Sequence, residues 1–225
     1  ETAFVRQLNA NRFELRWFTP LTEVDLCGHA TLATAHALWE SGAVQNRSDV
    51  CFESRSGDLN VKSLGASIEL NFPITPAEEC VAPDGLLESL HVGGHAIPVT
   101  YVGRSKFDYL FELPESQHVH ELQPNFQKLK QVDARGVIVT AHGTPESGFD
   151  FVSRFFAPAA GIDEDPVTGS AHCCLADYWG RRLGKVELVG YQASGRGGTV
   201  QMKVVKDRVL LRGQAVTIFH GTLEA

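Results

Sequence analysis

Long hydrophobic runs are missing from this sequence. Its apolar stretches fall well short of the ~18 residues that a membrane-spanning helix needs, so no membrane span is expected. A surplus of positive charge is missing too. Lysine and arginine number 20 against 27 acidic residues, a net charge of -7. No basic face or stripe is visible, and a nucleic-acid partner is not expected. The five cysteines are Cys27, Cys51, Cys80, Cys173 and Cys174, and no pair has C-x-x-C spacing. Reduced thiols in a cytoplasmic protein fit that odd number. Nine histidines occur without the spacing of zinc ligands, so no metal is expected. There is no G-x-S-x-G elbow. Gly195-Arg196-Gly197-Gly198 lacks both the lysine and the following helix of a phosphate loop and reads as a β-turn. No secretory signal is seen. The sequence opens on Glu1-Thr2-Ala3-Phe4-Val5 rather than on methionine, which reads as a processed or incompletely represented N-terminus.

What is present is an internal repeat, and repeats decide architecture before anything else. Arg16-Trp17-Phe18-Thr19-Pro20 is echoed by Arg154-Phe155-Phe156-Ala157-Pro158. An acidic loop follows each: Glu23 and Asp25 in the first, Asp163, Glu164 and Asp165 in the second. Each loop delivers a glycine that opens a helix of small and apolar residues, Gly28 to Trp39 and Gly169 to Trp179. Gly42 and Gly184 then stand where helices end. Further on, Ser54-Arg55-Ser56-Gly57 and Ala193 to Gly198 each precede a strand-like run, Leu59 to Val61 and Val200 to Val204. Alternating apolar segments at 66–72, 97–102, 109–113, 136–140 and 208–213 add half-buried strands. Residues 114–135 are polar and read as partly helical.

The expected fold is therefore α+β and duplicated, with a sheet wrapped around one buried helix in each half. With hydrophobic residues at 43% and charged residues at 21%, a sizeable core can form. The boundary is placed between 84 and 96, where Pro83, Gly85, Gly93, Gly94 and Pro98 cluster. That gives halves of 1–90 and 91–225, with 214–225 as a candidate for completing the first half.

The chemistry follows from the two helix starts. A helix N-terminus offers unpaired N–H groups and a positive dipole end, which suit a carboxylate or phosphate. Gly28 and Gly169 let a ligand approach the backbone closely, or they serve only tight turns. His29 sits where the dipole disfavours its cation, so a neutral imidazole is expected, either facing a ligand or satisfied in the core. Asp165 can hold a ligand amine or hydroxyl, cap the helix, or do both. Ser170 can donate to a bound carboxylate or simply begin the helix. His36 and His172 lie further along the helices and read as core or surface residues.

The segments Cys27-Gly28-His29-Ala30-Thr31-Leu32-Ala33 and Glu164-Asp165-Pro166-Val167-Thr168-Gly169-Ser170-Ala171-His172 resemble two signature segments of the PhzF-like (phenazine biosynthesis-like) isomerase family. Glu1-Thr2-Ala3-Phe4-Val5 resembles a third. The resemblance spans the chain. It implies a diaminopimelate epimerase-like fold, two β-barrel-like domains each around a central helix, with the active site between them. It also implies an early strand and helix ahead of Glu1 that this sequence does not show. Glu1 then matches a proton-shuttling glutamate, which works best desolvated with a raised pKa. His29 and Asp165 match residues that position the substrate, and Gly28, Gly169 and Ser170 match those that bind its carboxylate. No cofactor is implied, the partner is a small carboxylic acid, and a homodimer is compatible with the resemblance. Cys27 stands where related epimerases keep one of two catalytic thiols, but the second position is Thr168. The readings carried forward are a cofactor-independent isomerase, a non-catalytic binding or scaffold protein of the same fold, and, disfavoured by Thr168, an amino-acid epimerase.

Overall fold

In the computed structural model, residues 1–222 are described. The first half consists of β1 (Thr2–Gln7), β2 (Arg12–Phe18), β3 (Glu23–Val24), helix α1 (Gly28–Glu40), β4 (Val50–Ser54), β5 (Gly57–Leu64) and β6 (Ser67–Pro73). Next come β7 (Glu78–Glu79), β8 (Leu90–Val92), β9 (His95–Ala96), β10 (Tyr101–Arg104) and β11 (Asp108–Glu112). The chain continues with α2 (Ser116–Glu121), β12 (Gln123–Pro124), α3 (Phe126–Leu129), β13 (Gly136–His142) and β14 (Phe151–Phe156). Helix α4 (Gly169–Leu183), β15 (Glu187–Gln192), β16 (Gly198–Val205) and β17 (Arg208–Gly213) close the described fold. No helix among the described residues is long and apolar enough to cross a membrane.

The duplication is written in the pairing order. In the first half β1–β2 is antiparallel, β2–β4 parallel, and β4–β5 and β5–β6 antiparallel. In the second half β13–β14, β14–β15, β15–β16 and β16–β17 repeat that pattern step for step. Each parallel pair needs a long crossover, and α1 and α4 supply it. The halves join where β6 pairs antiparallel with β17, Ile68–Pro73 against Arg208–Gly213, so one hydrogen-bonded path runs through both. At this seam Arg212 Nε donates to Glu69 Oε2 at 2.7 Å and Arg208 Nε to Asn71 Oδ1 at 2.7 Å. The second half carries additional strands. β7, upstream of residue 84, already pairs with β10, and β8, β9 and β12 form a small separate sheet.

Alternation fixes which side chains face inward. On β2 the buried positions are Phe13, Leu15 and Trp17, and on β4 and β5 they are Val50, Phe52, Leu59 and Val61. Each large apolar side chain so buried contributes roughly 1.5–3 kcal/mol. Helix α4 is surrounded on nearly every face, with Ala171 through Ala176, Tyr178 and Trp179 buried and Phe151 stacked on Trp179. Helix α1 is not. Ala33, Ala37 and Glu40 are exposed, a stripe at i, i+4 and i+7. Residues 214–222 have no regular structure and reach the end of that stripe, where Thr217 donates to Glu40. The expected strand at 97–102 begins only at Tyr101, because Pro98 has no N–H for a ladder.

Candidate active site

The repeats place two helix starts against each other. A Cβ added to Gly28 would lie 2.9 Å from the Gly169 Cα, and one added to Gly169 would lie 3.0 Å from the Gly28 Cα. These glycines are required by contact between the two backbones, not by backbone dihedrals, since neither has a positive φ. Cys27 and Thr168 are the residues before the two helices, and neither side chain caps its helix. The first-turn N–H groups of both helices thus lack a side-chain cap from these positions.

Beside this junction lies a cavity of about 320 Å³. Glu1, Gly28, His29, Asp165, Gly169 and Ser170, the residues singled out from the sequence, all line it. Glu1 is exposed at its backbone, but its side chain keeps only 12% of its accessible surface. Its Oε2 lies 3.1 Å from His29 Nε2. His29 Nδ1 lies 3.1 Å from the Val167 carbonyl, which can only accept, so Nδ1 carries a proton. The remaining proton of the pair then sits either on His29 Nε2 or on Glu1.

Electrostatics decides between them. Burial opposes charge on His29, but hydrogen bonds to Cys27 and Glu1 outweigh it and push its pKa up to about 10. The hydrogen bond from His29 holds Glu1 below the usual carboxylate range, against the upward push of its own burial. The free site thus holds an imidazolium–carboxylate pair. This overturns two expectations at once, a neutral His29 and a Glu1 of raised pKa. The helix end does disfavour a cation, but a carboxylate at hydrogen-bond distance outweighs it.

Cys27 Sγ lies 3.7 and 3.8 Å from the two nitrogens of His29. Glu1, Cys27 and His29 cluster closely enough to suggest metal ligands, but both ring nitrogens of His29 already have partners, the Val167 carbonyl and the Glu1 carboxylate.

Asp165 is 5% exposed, and burial raises its pKa above the ordinary range. Thr168 Oγ1 donates to its Oδ2, while its Oδ1 is buried without a protein partner among the described residues. Gln192, on β15 and 1% exposed, ties this loop together. Its Oε1 accepts from the Thr168 N–H at 2.7 Å, and its Nε2 donates to the Asp165 carbonyl at 2.6 Å and to Thr168 Oγ1 at 3.1 Å. Arg135 also lines the cavity, beneath a fork to the buried Asp108 (Nε to Oδ1, 2.9 Å) and against the rings of Phe107 and Phe155. Sequence reasoning missed Gln192, Arg135 and Phe107. A signal for Gln192 was available, because it shares the inward face of β15 with Leu188 and Gly190 and interrupts an apolar pattern.

The phenazine biosynthesis-like (PhzC-PhzF) family model matches residues 1–221. The chain belongs to this family. It is 50% identical to an uncharacterized isomerase of Halalkalibacterium halodurans over 99% of this chain and 82% of that protein. It is 44% identical to an uncharacterized isomerase of Pseudomonas aeruginosa, with the same coverage. Among solved structures, a PhzF-family protein of Enterococcus faecalis superposes with a TM-score of 0.83 at 38% identity, covering 94% of this chain and 78% of that one. A hydroxyproline epimerase of Agrobacterium vitis matches with a TM-score of 0.63 at 12% identity, covering 96% of this chain and 72% of that one, which shows the shared fold alone. The family's fold is the duplicated epimerase-like α+β architecture described above.

Proposed function

We propose that this phenazine biosynthesis-like chain is a cofactor-independent isomerase. It moves a proton on a small cyclic or unsaturated amino or hydroxy acid. The observation that carries this reading is the Glu1–His29 pair, 3.1 Å apart, set in one cavity with two abutting helix starts. The isomerase names of two family relatives support it.

The substrate carboxylate lies at the first-turn N–H groups of Gly28, His29, Gly169 and Ser170, with the Ser170 hydroxyl as an added donor. Glu1, held ionised by His29, is ready to take a proton from the substrate carbon. His29 Nε2 then has a neutral carboxylic acid beside it, and the same carboxyl returns the proton to a second carbon. One group thus serves as base and then as acid. Asp165, which lines the same cavity, binds a substrate heteroatom. A racemase mechanism with two thiols is disfavoured, because Thr168 occupies the position symmetric to Cys27.

Carboxylate binding is tested first, with acetate or tartrate as probe and amide NMR as readout. The largest shifts are expected at Gly28, His29, Gly169 and Ser170. Shifts confined to other surfaces would remove the basis for the reading.

A further inference from the structure

We propose that Arg135 is a specificity-determining residue, its Nη1 end donating to an uncharged oxygen that the substrate carries in addition to its carboxylate. The inference rests on the reading of this cavity as the substrate site and deepens it, because it names the second group that the acid must present.

The placement begins with two strands. β11 and β13 are parallel, with Asp108 opposite Gly136, so Phe107 and Arg135 stand side by side just ahead of them, and both line the cavity. The Arg135 backbone N–H donates to the Phe107 carbonyl at 3.0 Å. Its Nε and Nη2 donate to the two carboxyl oxygens of Asp108. Both oxygens accept, which is the arrangement of a carboxylate facing a guanidinium. The guanidinium carbon lies 5.0 Å from the centre of the Phe107 ring and 5.5 Å from that of Phe155. A two-point fork and two rings thus fix its plane.

What remains is Nη1. A guanidinium has five N–H donors, and the fork uses two of them. Nη1 has no hydrogen-bond partner among the described residues, and it is not sealed from solvent. The Asp108 side chain keeps only 2% of its accessible surface, whereas that of Arg135 keeps 26%. The closed end of the guanidinium is therefore the fork, and the open end is the opposite one, on a residue that lines the cavity. Asp165, which lines the same cavity, is close enough to act on the Arg135 charge.

The wall around this end is apolar, formed by Phe107, Phe155, Ala157, Ala160 and Ile162. An occupant that displaces water from such a wall must supply an acceptor, or it leaves the donors desolvated and unpaired. Arginine has no acceptor, so an ammonium group is refused. A second carboxylate is refused as well. Asp108 already matches Arg135 and Glu1 matches His29, so an added charge would be desolvated without a counter-ion. A carbonyl or hydroxyl oxygen meets the donors without that penalty. The substrate class is thus an oxo or hydroxy monocarboxylic acid.

The test titrates the whole chain with cyclohexanecarboxylate, its 3- and 4-oxo and hydroxy derivatives, and the matching dicarboxylates, with calorimetry as readout and amide NMR to locate the carboxylate. At least one oxo or hydroxy acid should bind about ten-fold or more tighter than both the parent acid and the dicarboxylates, the usual worth of a hydrogen bond to a charged group. Arg135→Lys keeps a cation for Asp108 but lacks Nη1, so this advantage should vanish while the parent acid binds as before. If that variant does not fold, Asp108→Asn with Arg135→Gln removes both charges together and should show the same loss. If neither folds, the wild-type affinities decide. A parent acid that binds at the helix starts with no oxo or hydroxy derivative favoured over it overturns this inference alone. So does an advantage that survives in either folded variant. An equal loss of affinity for the parent acid also overturns it, since Arg135 would then hold the carboxylate itself. If no acid binds at the helix starts, the reading of the cavity falls and this inference falls with it.

Discussion

At the scale of single residues, the site depends on a carboxylate and an imidazole sharing a proton. The pH dependence follows from the direction of each shift. His29 is raised from 6.5 to about 10, so its contribution to stability is fully present below pH 6.5 and is lost as pH rises through about 10. Glu1 is lowered from 4.5, so its contribution is present above pH 4.5 and is lost as pH falls through the folded value. The difference in Tm between the wild type and His29→Asn should therefore be greatest between pH 4.5 and 6.5 and should fade toward pH 10. A difference that grows toward alkaline pH would contradict the pairing. Cys27 takes a different part. Its sulfur lies 3.8 Å from His29 Nδ1, and the residue before the second helix is Thr168, not a second thiol. Cys27→Ala should keep most of the isomerase activity, measured as turnover of folded protein, whereas complete inactivation would revive the epimerase reading.

At the scale of elements, the two helix starts are the device that makes the cleft, and their closeness leaves no room for a methyl group. Gly28→Ala puts a carbon 2.9 Å from the Gly169 backbone, where no side chain can swing aside. Overpacking of this kind costs roughly 1–3 kcal/mol, and the first turns must separate to relieve it. Carboxylate affinity, measured by titration with tartrate, should fall more than ten-fold, while far-UV circular dichroism stays that of the wild type. These features were legible in the sequence because they recur: the Arg-aromatic-aromatic stretches ending β2 and β14, the acidic loops, and the glycines opening α1 and α4. The resemblance to the PhzF-like family, not the repeat, marked Cys27 and Thr168 as corresponding positions. The cavity wall was not legible. Arg135 and Phe107 lie on either side of α2 and α3 and come together only because β11 pairs with β13. The charge on His29 was misjudged for a similar reason. Its own helix is adjacent in sequence, but Glu1 reaches it only through the fold. The open stripe Ala33–Ala37–Glu40 also escaped notice, because alanines read alike on a buried and an exposed face.

At the scale of the whole molecule, the halves are not independent. The β6–β17 ladder joins their sheets, and one hydrophobic core includes Trp17 and Phe52 of the first half with Trp179 and Leu211 of the second. Unfolding in urea should therefore be a single transition, with fluorescence of variants retaining only Trp17 or only Trp179 giving coincident midpoints. Separate midpoints would show that each half folds alone. The cleft at this junction is where the proposed chemistry takes place, and its central claim is that Glu1 carries the proton. The most direct measurement is proton-NMR detection of deuterium entering a panel of small cyclic and unsaturated amino and hydroxy acids in deuterated water, with wild type and Glu1→Gln side by side. The wild type should place deuterium at a carbon of at least one acid. Glu1→Gln should slow that exchange by roughly 10²–10⁴-fold, the usual contribution of a general acid–base group, while tartrate still binds at the helix starts. Exchange at the wild-type rate in Glu1→Gln would contradict the account.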